Sequence, residues 1–295
     1  MPVFAALAIA AAMQNPPDPL RLDIGRKGTV RAEFGLTDLA AGRTATIASV
    51  VSAARGKRFV YLGENHATQP HQQFQADVIR ALATSGRPVA VGLEMITRPK
   101  QDPLDAWVRG ELSEAEFQAN VDWKGQWGFD YGFYKPVFDV AKEMKLPMVA
   151  LNVPRDWVRL VGRTGLSALP VSARLQLPNE FFTGNKDHRR VFEALMGGHP
   201  MTGPGGDNIY SAQVLWDVAM ADTALKWLER FGAKDQVFVV LAGSGHVMYD
   251  QGISYRVERR RGGDGITVVM GQAEGPVEVS KGLGDFFLLS PSPNR

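Results

Sequence analysis

Glutamate and histidine side chains follow three apolar stretches of the sequence, at the point where each stretch ends. The stretch at residues 58–66 closes with Gly-Glu-Asn-His, and the stretch at residues 237–246 closes with Gly-Ser-Gly-His. The third stretch, residues 89–94, lies between these two and ends in a glutamate. Glycine after an apolar run lets the backbone turn sharply. Each of these polar side chains is therefore expected just beyond a buried strand.

Parallel strands of an open α/β sheet share one carboxyl edge, where such folds place their ligands. The sequence therefore predicts that Glu64, His66, Glu94 and His246, here called the rim residues, lie close together, with Asn152 beside them. Two carboxylates and two imidazoles suit Mn, Fe or Zn, and they suit metal-free acid–base catalysis equally well. We predict these four as catalytic residues and as metal ligands. The alternative is that they only cap helices and satisfy loop amides. Burying several ionisable groups costs free energy, which favours a functional site over a merely structural role for these four residues.

The elements that position the rim residues alternate between helical and strand-like patterns. Apolar residues recur at helical spacing in residues 44–55, and again after Pro70, before the run that ends in Glu94. A right-handed crossover between the two strands makes them parallel. Later elements are predicted as a strand, a long helix and two late strands, at residues 147–151, 209–231, 255–258 and 266–270. The predicted fold is α/β, with a central, mostly parallel sheet flanked by helices.

The chain divides into four predicted segments. Residues 3–13 are apolar, too short to span a bilayer, and followed by Gln-Asn-Pro-Pro, which is typical of a signal peptide although no basic residue precedes Arg21. A glycine- and proline-broken insertion at about residues 164–210 predicts an inserted helical lid. The segments are a signal peptide, an N-terminal lead-in, the α/β domain with its lid, and a C-terminal tail, at residues 1–15, 16–49, 50–275 and 276–295.

Composition excludes several classes of function. With 22% charged residues and a formal net charge of +2, nothing indicates a nucleic-acid binder. The chain has no cysteine, which removes disulfides, thiolate chemistry and the lipid anchor of a lipoprotein. No internal stretch is apolar enough for a membrane span. We expect an exported, periplasmic protein. Ser244 lacks the outer glycines of the Gly-x-Ser-x-Gly nucleophile elbow. We therefore interpret it as a turn residue and not as a nucleophile.

Six short motifs occur in order across about residues 50–260, and their order and spacing are specific. They are residues 62–66 with His71 and Gln75, 92–95, 131–138, 151–154, 211–222 and 242–246. Together they resemble the ChaN-like haem-binding family of bacterial envelope proteins. That family belongs to a superfamily with the Tiki proteases, the TraB-like proteins and the erythromycin esterases.

The resemblance implies a role in haem or iron uptake, with haem held by tyrosine in a paired arrangement of two chains. Haem requires an apolar slot and an axial Tyr, His or Met. The residues proposed to contact it are Tyr134, Tyr210 and His199, as candidate axial ligands, and His71. The expected partners are haem or another small molecule and a second copy of the chain, as a homodimer.

The resemblance also implies an alternative function. In Tiki proteases, paired Gly-x-x-His motifs and glutamates form a metal-dependent catalytic set, and this set corresponds to the rim residues. In erythromycin esterases a similar Gly-Glu-x-x-His region acts in hydrolysis, but this sequence has one residue fewer between Glu64 and His66. The alternative is therefore a metal-dependent hydrolase, a peptidase or an esterase, with a divalent metal as cofactor.

Overall fold

Residues 16–198 and 201–293 are described by a computed structural model. The predicted signal peptide and His199 lie outside the described residues. Among the described residues, no helix combines the length and the apolar character needed to cross a membrane.

The described chain alternates strands and helices. The strands are β1 (Thr29–Ala32), β2 (Gly35–Asp38), β3 (Arg43–Thr44), β4 (Phe59–Glu64), β5 (Val89–Thr97), β6 (Met148–Asn152), β7 (Val237–Gly243), β8 (Gly265–Ala273), β9 (Val277–Ser280) and β10 (Phe286–Pro291). The helices are α1 (Ile47–Ala53), α2 (Gln69–Thr84), α3 (Gln101–Val108), α4 (Glu114–Val121), α5 (Trp123–Gln126), α6 (Tyr131–Glu143), α7 (Arg155–Thr164), α8 (Val171–Arg174), α9 (Lys186–Leu195), α10 (Gly203–Phe231) and α11 (Ile253–Arg259).

Eight strands form the central sheet, in the order β3-β2-β10-β8-β4-β7-β5-β6. The six strands from β10 to β6 run parallel, and β2 and β3 are antiparallel to their neighbours. This confirms the predicted α/β fold with a mostly parallel sheet. Strand β7 lies between β4 and β5, so the three strands that carry the rim residues are adjacent.

Both faces of the sheet are buried, which explains why its central strands are continuously apolar. Side chains alternate across a strand: Val60 and Leu62 face a core completed by α1, α2 and α6, whereas Phe59 and Tyr61 face a core completed by α10 and α11. The sheet therefore lies between two helical layers, and its carboxyl edge is left for the loops.

Three segments differ from the sequence predictions. Residues 255–258 lie in helix α11 and not in a strand, because Ile253 and Val257 are both buried at a spacing of four. Strand β10 lies inside the central sheet between β2 and β8, where a C-terminal tail was predicted. The lead-in supplies β2 and β3 to the same sheet, so the folded domain extends beyond residues 50–275.

The predicted lid region contains the short helices α8 and α9, which lead into α10. Two apolar clusters hold this region, one of them around Val158 and Leu215 and the other around Phe192 and Tyr210. Both clusters are separate from the two cores that sandwich the sheet. Helix α9 therefore has two sets of partners: Phe192 packs with Tyr210 of α10, whereas Val191 and Ala194 belong to the core on the α10 side of the sheet.

Gly92, in the middle of β5, provides a test of this packing. A Cβ at this position would lie 2.5 Å from Phe238 Cε1 and 2.8 Å from Leu151 Cδ1. We expect Gly92→Ala to lower the free energy of unfolding by about 1–3 kcal/mol through overpacking, measured by urea denaturation. Gly275→Ala is the control, because no atom lies within 4 Å of its added Cβ. Equal stability of the two variants would contradict the packing described for β5.

Candidate functional site

The carboxyl ends of β4, β7 and β5 lie side by side and bring the rim residues together. Glu64 ends β4 opposite Gly243 of β7, and Glu94 follows Leu93, which pairs with Leu241. A Cβ on Gly243 would lie 2.9 Å from His66 Cε1 and 3.7 Å from Glu94 Oε2. The glycine between the two glutamates thus leaves room for His66 and Glu94 to approach each other.

Glu64 is a buried carboxylate that orients His66. One carboxylate oxygen, Oε1, lies 3.0 Å from His66 Nδ1 and accepts a hydrogen bond of 2.9 Å from the Tyr134 hydroxyl. The other, Oε2, accepts a bond of 2.7 Å from Gln72 Nε2. The imidazole is one third exposed and contacts Trp127 edge-on, with ring centroids 4.6 Å apart. Its ring orientation is therefore fixed on one side by a carboxylate and on the other by an indole.

His246 lies between two buried carboxylates. Its Nδ1 is 2.6 Å from Asp217 Oδ1 on helix α10, and its Nε2 is 3.3 Å from Glu94 Oε1 on β5. Glu94 Oε2 also accepts a bond of 2.6 Å from the Gly243 backbone N–H. Burial disfavours the charged imidazole, but Glu94 and Asp217 outweigh it and raise the pKa of His246 to about 10. Against the same burial, His246 lowers the pKa of Glu94 to about 2.

Asp217 extends this network into the lid. Its Oδ2 is 2.9 Å from His188 Nε2 on helix α9. His188 Nδ1 lies 2.8 Å from the Tyr210 hydroxyl and 3.2 Å from Arg256 Nη2. Because a guanidinium only donates, Nδ1 is the acceptor and the ring proton lies on Nε2, which is close to Asp217 Oδ2 but outside hydrogen-bond geometry. Burial lowers the pKa of His188, so this second histidine is neutral.

A cleft of about 410 Å³ opens in front of the rim, here called the rim cleft. Its polar side is formed by Glu64, His66, Gln213 and His246, and its apolar wall by side chains of α9 and the residue that follows it. These apolar residues are Phe192, Leu195 and Met196. Leu195 and Met196 are about two fifths exposed. The rim cleft therefore combines an apolar wall with two carboxylate-paired imidazoles, of which His66 is the more exposed.

Three of the residues predicted to contact haem are buried, unlike Leu195 and Met196. Tyr134 and Tyr210 are almost fully buried; the first hydroxyl bonds Glu64, and the second contacts His188 and the Asn185 carbonyl. His71 is fully buried on α2 and does not line the rim cleft. As haem ligands these three residues stay predictions, and each would have to leave its present partners. His199 lies outside the described residues.

The metal alternative gains no support from the arrangement. Among residues 16–198 and 201–293, no group of three or more His, Asp or Glu side chains is placed to hold a metal ion. The rim carboxylates instead pair with imidazoles and backbone amides. Asn152 lies near the rim and donates to the Glu94 carbonyl at 3.1 Å. Its role at the rim is therefore to position β5.

Sequence reasoning missed three residues of the site, Asp217, Gln72 and Gln213. Asp217 is a fully buried carboxylate in an apolar stretch of α10, and it lies four residues after Gln213, on the same helix face. An acidic residue on the apolar face of a helix is the signal that could have identified it, because such a charge is rarely buried without a partner. Gln72 follows Pro70 and His71 in the first turn of α2 and carries no such signal.

The fold and the rim define an α/β protein with its site at the carboxyl edge of a parallel sheet, which is where open α/β sheets bind ligands. A family model described as haem-binding uptake, Tiki superfamily, ChaN matches residues 50–257, more than half of the chain. The protein belongs to this family. Comparison with curated proteins finds no match.

Comparison with solved structures finds matches at low sequence identity, of which the first shares the fold. The structure of ChaN from Campylobacter jejuni, which has cofacial haem binding, matches with a TM-score of 0.66 and 17% identity, covering 86% of this chain and 96% of that one. The type III effector HopBA1 has a TM-score of 0.48, 10% identity and coverages of 83% and 93%. An erythromycin esterase mutant, EreC, in its open conformation has a TM-score of 0.48, 12% identity and coverages of 83% and 77%.

His71 provides a pH test of the described contacts. Its Nδ1 accepts from the Asn65 N–H at 3.0 Å, and its Nε2 faces the Gly271 carbonyl and Ser290 Oγ at 3.3 and 3.1 Å. Burial lowers the pKa of His71 from 6.5 to about 4. Between these values the unfolded chain binds a proton that the native state does not. Stability should therefore fall as the pH drops through this window, by up to about 3 kcal/mol.

The variant His71→Gln should lose this part of the pH dependence, because its amide does not titrate. Urea unfolding at several pH values between 7 and 4 measures it. Gln73→Ala, on the exposed side of the same helix, should keep the slope of the native protein. A slope in His71→Gln equal to that of the native protein would contradict a neutral, buried His71.

Proposed function

We propose that this protein binds haem in the rim cleft, with His66 as an axial ligand of the iron, and that it serves haem or iron uptake in the periplasm. The carrying observation is the orientation of His66. Its Nδ1 is held by Glu64 at 3.0 Å, and its Nε2 has no hydrogen-bond partner among the residues the structure describes. A carboxylate on the far ring nitrogen is the usual support of a metal-ligating histidine.

The residues present fit a haem group. The apolar wall of Phe192, Leu195 and Met196 suits the face of a porphyrin, and a histidine is an established axial ligand. Haem would supply an iron centre whose properties depend on that ligand and on the dielectric of the cleft. The chain's own residues bind and orient: Glu64 holds the ring of His66, and Gln72 and Tyr134 hold Glu64.

The family assignment supports the uptake role, because the family is described as haem-binding uptake. The apolar run at residues 3–13, read as a signal peptide, supports the periplasmic location.

The affinity of the rim cleft for haem would also depend on pH. Burial disfavours the imidazolium of His66, but the hydrogen bond to Glu64 and the charge of Glu94 outweigh burial and raise its pKa. Only the neutral ring ligates iron, so acidification weakens this site.

A haemin titration followed by absorption tests the proposal. We expect a saturable Soret shift that weakens about tenfold or more in His66→Ala, because the axial ligand is lost. Tyr210→Phe is the control; it removes a hydroxyl that does not contact Glu64 or His66, and it should retain the shift. Tyr134→Phe removes a hydrogen bond to Glu64 and should weaken the shift less than His66→Ala does. Loss of the shift in a tyrosine variant, with His66→Ala unchanged, would assign the iron to that tyrosine and overturn the histidine ligand.

A paired arrangement of two chains is part of the proposal. A cleft of about 410 Å³ covers only part of a bound haem, and the exposed Leu195 and Met196 border it. In the Campylobacter jejuni relative the haems are bound cofacially. Two copies facing each other over their haems would bury these exposed side chains. Sedimentation velocity should then show the mass doubling on addition of haemin, and a monomer at saturating haemin would exclude the pairing.

Metal-free hydrolysis is the second candidate, and the Glu64–His66 pair favours it. A histidine oriented by a carboxylate in an open cleft can act as a general base toward water. A screen of ester and peptide substrates tests this candidate by initial rates. We expect His66→Ala to reduce any turnover by about 10²-fold or more, while Tyr210→Phe keeps it. Turnover that persists in His66→Ala, or no turnover above buffer, would exclude it.

A further inference from the structure

A second and larger cleft lies along the edge of the sheet. It has a volume of about 750 Å³ and follows β6, the last strand of the central sheet, between helices α3 and α10. None of its lining residues lines the rim cleft. Its volume is in the range of small-molecule sites, about 300–1,000 Å³. We call it the β6 groove.

One wall of the β6 groove is a single face of α10. Five lining residues of this helix occur at the spacing of consecutive turns, which places their side chains in one stripe. They are Thr223, Lys226, Trp227, Arg230 and Phe231. Trp227 packs on Phe231 and on Phe238 of the sheet, with ring centroids 5.9 and 5.6 Å apart. Phe231 remains 59% exposed, so the stripe presents an aromatic surface to the groove.

The floor of the groove is the outer edge of β6, and its backbone is already occupied. The Gln101 side chain of α3 donates to the Met148 carbonyl at 2.7 Å and accepts from the Ala150 N–H at 2.8 Å. The side-chain amide therefore takes the place that a neighbouring strand would hold. An added peptide strand would have to displace it. The groove instead offers its occupant the side chains of Pro147, Val149 and the aromatic stripe.

The basic side chains of the β6 groove differ in whether they already have an acidic partner. Arg98 and Lys226 line it, but both contact the buried carboxylate of Asp222, at 3.4 and 2.8 Å. Arg230 differs: its guanidinium lies over the Phe231 ring at 4.9 Å and has no hydrogen-bond or ion-pair partner among the described residues. The acidic residue in the lining, Asp105, accepts a bond from Gln101. An available cation thus lies beside an exposed aromatic ring.

We propose that the β6 groove binds a small amphiphilic carboxylate, with its apolar body on Trp227 and Phe231 and its carboxylate on Arg230. An arginine–carboxylate pair is a strong, geometrically specific contact, and the aromatic stripe supplies area for an apolar body. Two sources share this chemistry: a fatty acid, and a porphyrin with its propionate groups. The site is independent of the rim cleft and of the function proposed for it.

Isothermal titration calorimetry with the full chain tests the proposal, using dodecanoate and metal-free mesoporphyrin as probes. All titrations are done in the His66→Ala background as well as in the native protein. This distinguishes binding in the rim cleft from binding in the β6 groove. We expect saturable binding of at least one acid, unchanged by His66→Ala. Dodecanoate alone identifies a fatty acid site, and mesoporphyrin alone identifies a porphyrin site.

Variants of the exposed residues make the test specific to the groove. Arg230→Glu should weaken binding about tenfold or more, because it replaces the partner of the carboxylate by a like charge. Phe231→Ser should weaken it several-fold. Phe34→Ser, which changes an exposed phenylalanine elsewhere, should leave it unchanged. Binding of neither acid, equal affinity in Arg230→Glu, or equal binding of dodecyltrimethylammonium would overturn the proposal.

Discussion

The buried ion triad of Glu94, His246 and Asp217 is the interaction on which the arrangement of the site depends. It joins β5, the loop after β7 and helix α10 through contacts of 3.3 and 2.6 Å. Removing one partner of a buried ion pair costs about 3–5 kcal/mol, because the other charge is left without compensation. The triad therefore fixes the position of α10 relative to β5 and to the loop after β7.

The consequences of this constraint extend in both directions from His246. Toward the lid, Asp217 also contacts His188, and His188 contacts Arg256, so α9 and α11 are tied to the same carboxylate. Two carboxylates, one imidazolium and one guanidinium leave this network without net charge. Toward the sheet, Glu94 holds the Gly243 amide. The sheet side and the α9 side of the rim cleft are therefore both held by the same buried ion triad. His66 is held separately, by Glu64.

The sequence predicted the sheet and its polar edge, because both follow from local patterns. Continuous apolar runs ending in Gly-Glu or Gly-x-x-His identify buried parallel strands, and the shared edge of such strands brings Glu64, His66, Glu94 and His246 together. It did not predict β10, since Phe286 to Pro291 becomes an internal strand only by pairing with β8 on one side and, on the other, with β2 near the start of the described chain. Helix α11 was predicted as a strand because its short run of alternating polar and apolar residues fits either period.

The partners of Asp217 could not be assigned from sequence for a related reason. Its partner histidines are 29 residues after it and 29 residues before it, and only the packing of α9 and the β7 loop on α10 brings them to one carboxylate. The haem contacts predicted from family resemblance are also buried, Tyr210 against α9 and Tyr134 in the core on the other face of the sheet. A motif identifies such residues without indicating whether the side chain faces the cleft or supports a residue that does.

The capping of β6 by Gln101 also bears on how this protein behaves at high concentration. A sheet has two edges, and an exposed edge strand is a template for aggregation. One edge here is β3, which is only two residues long, and the other edge has its outward backbone groups bound by a side-chain amide. Among the described residues, neither edge of the central sheet offers a long run of free N–H and C=O groups to another molecule. The central sheet is thereby protected from edge-to-edge polymerisation.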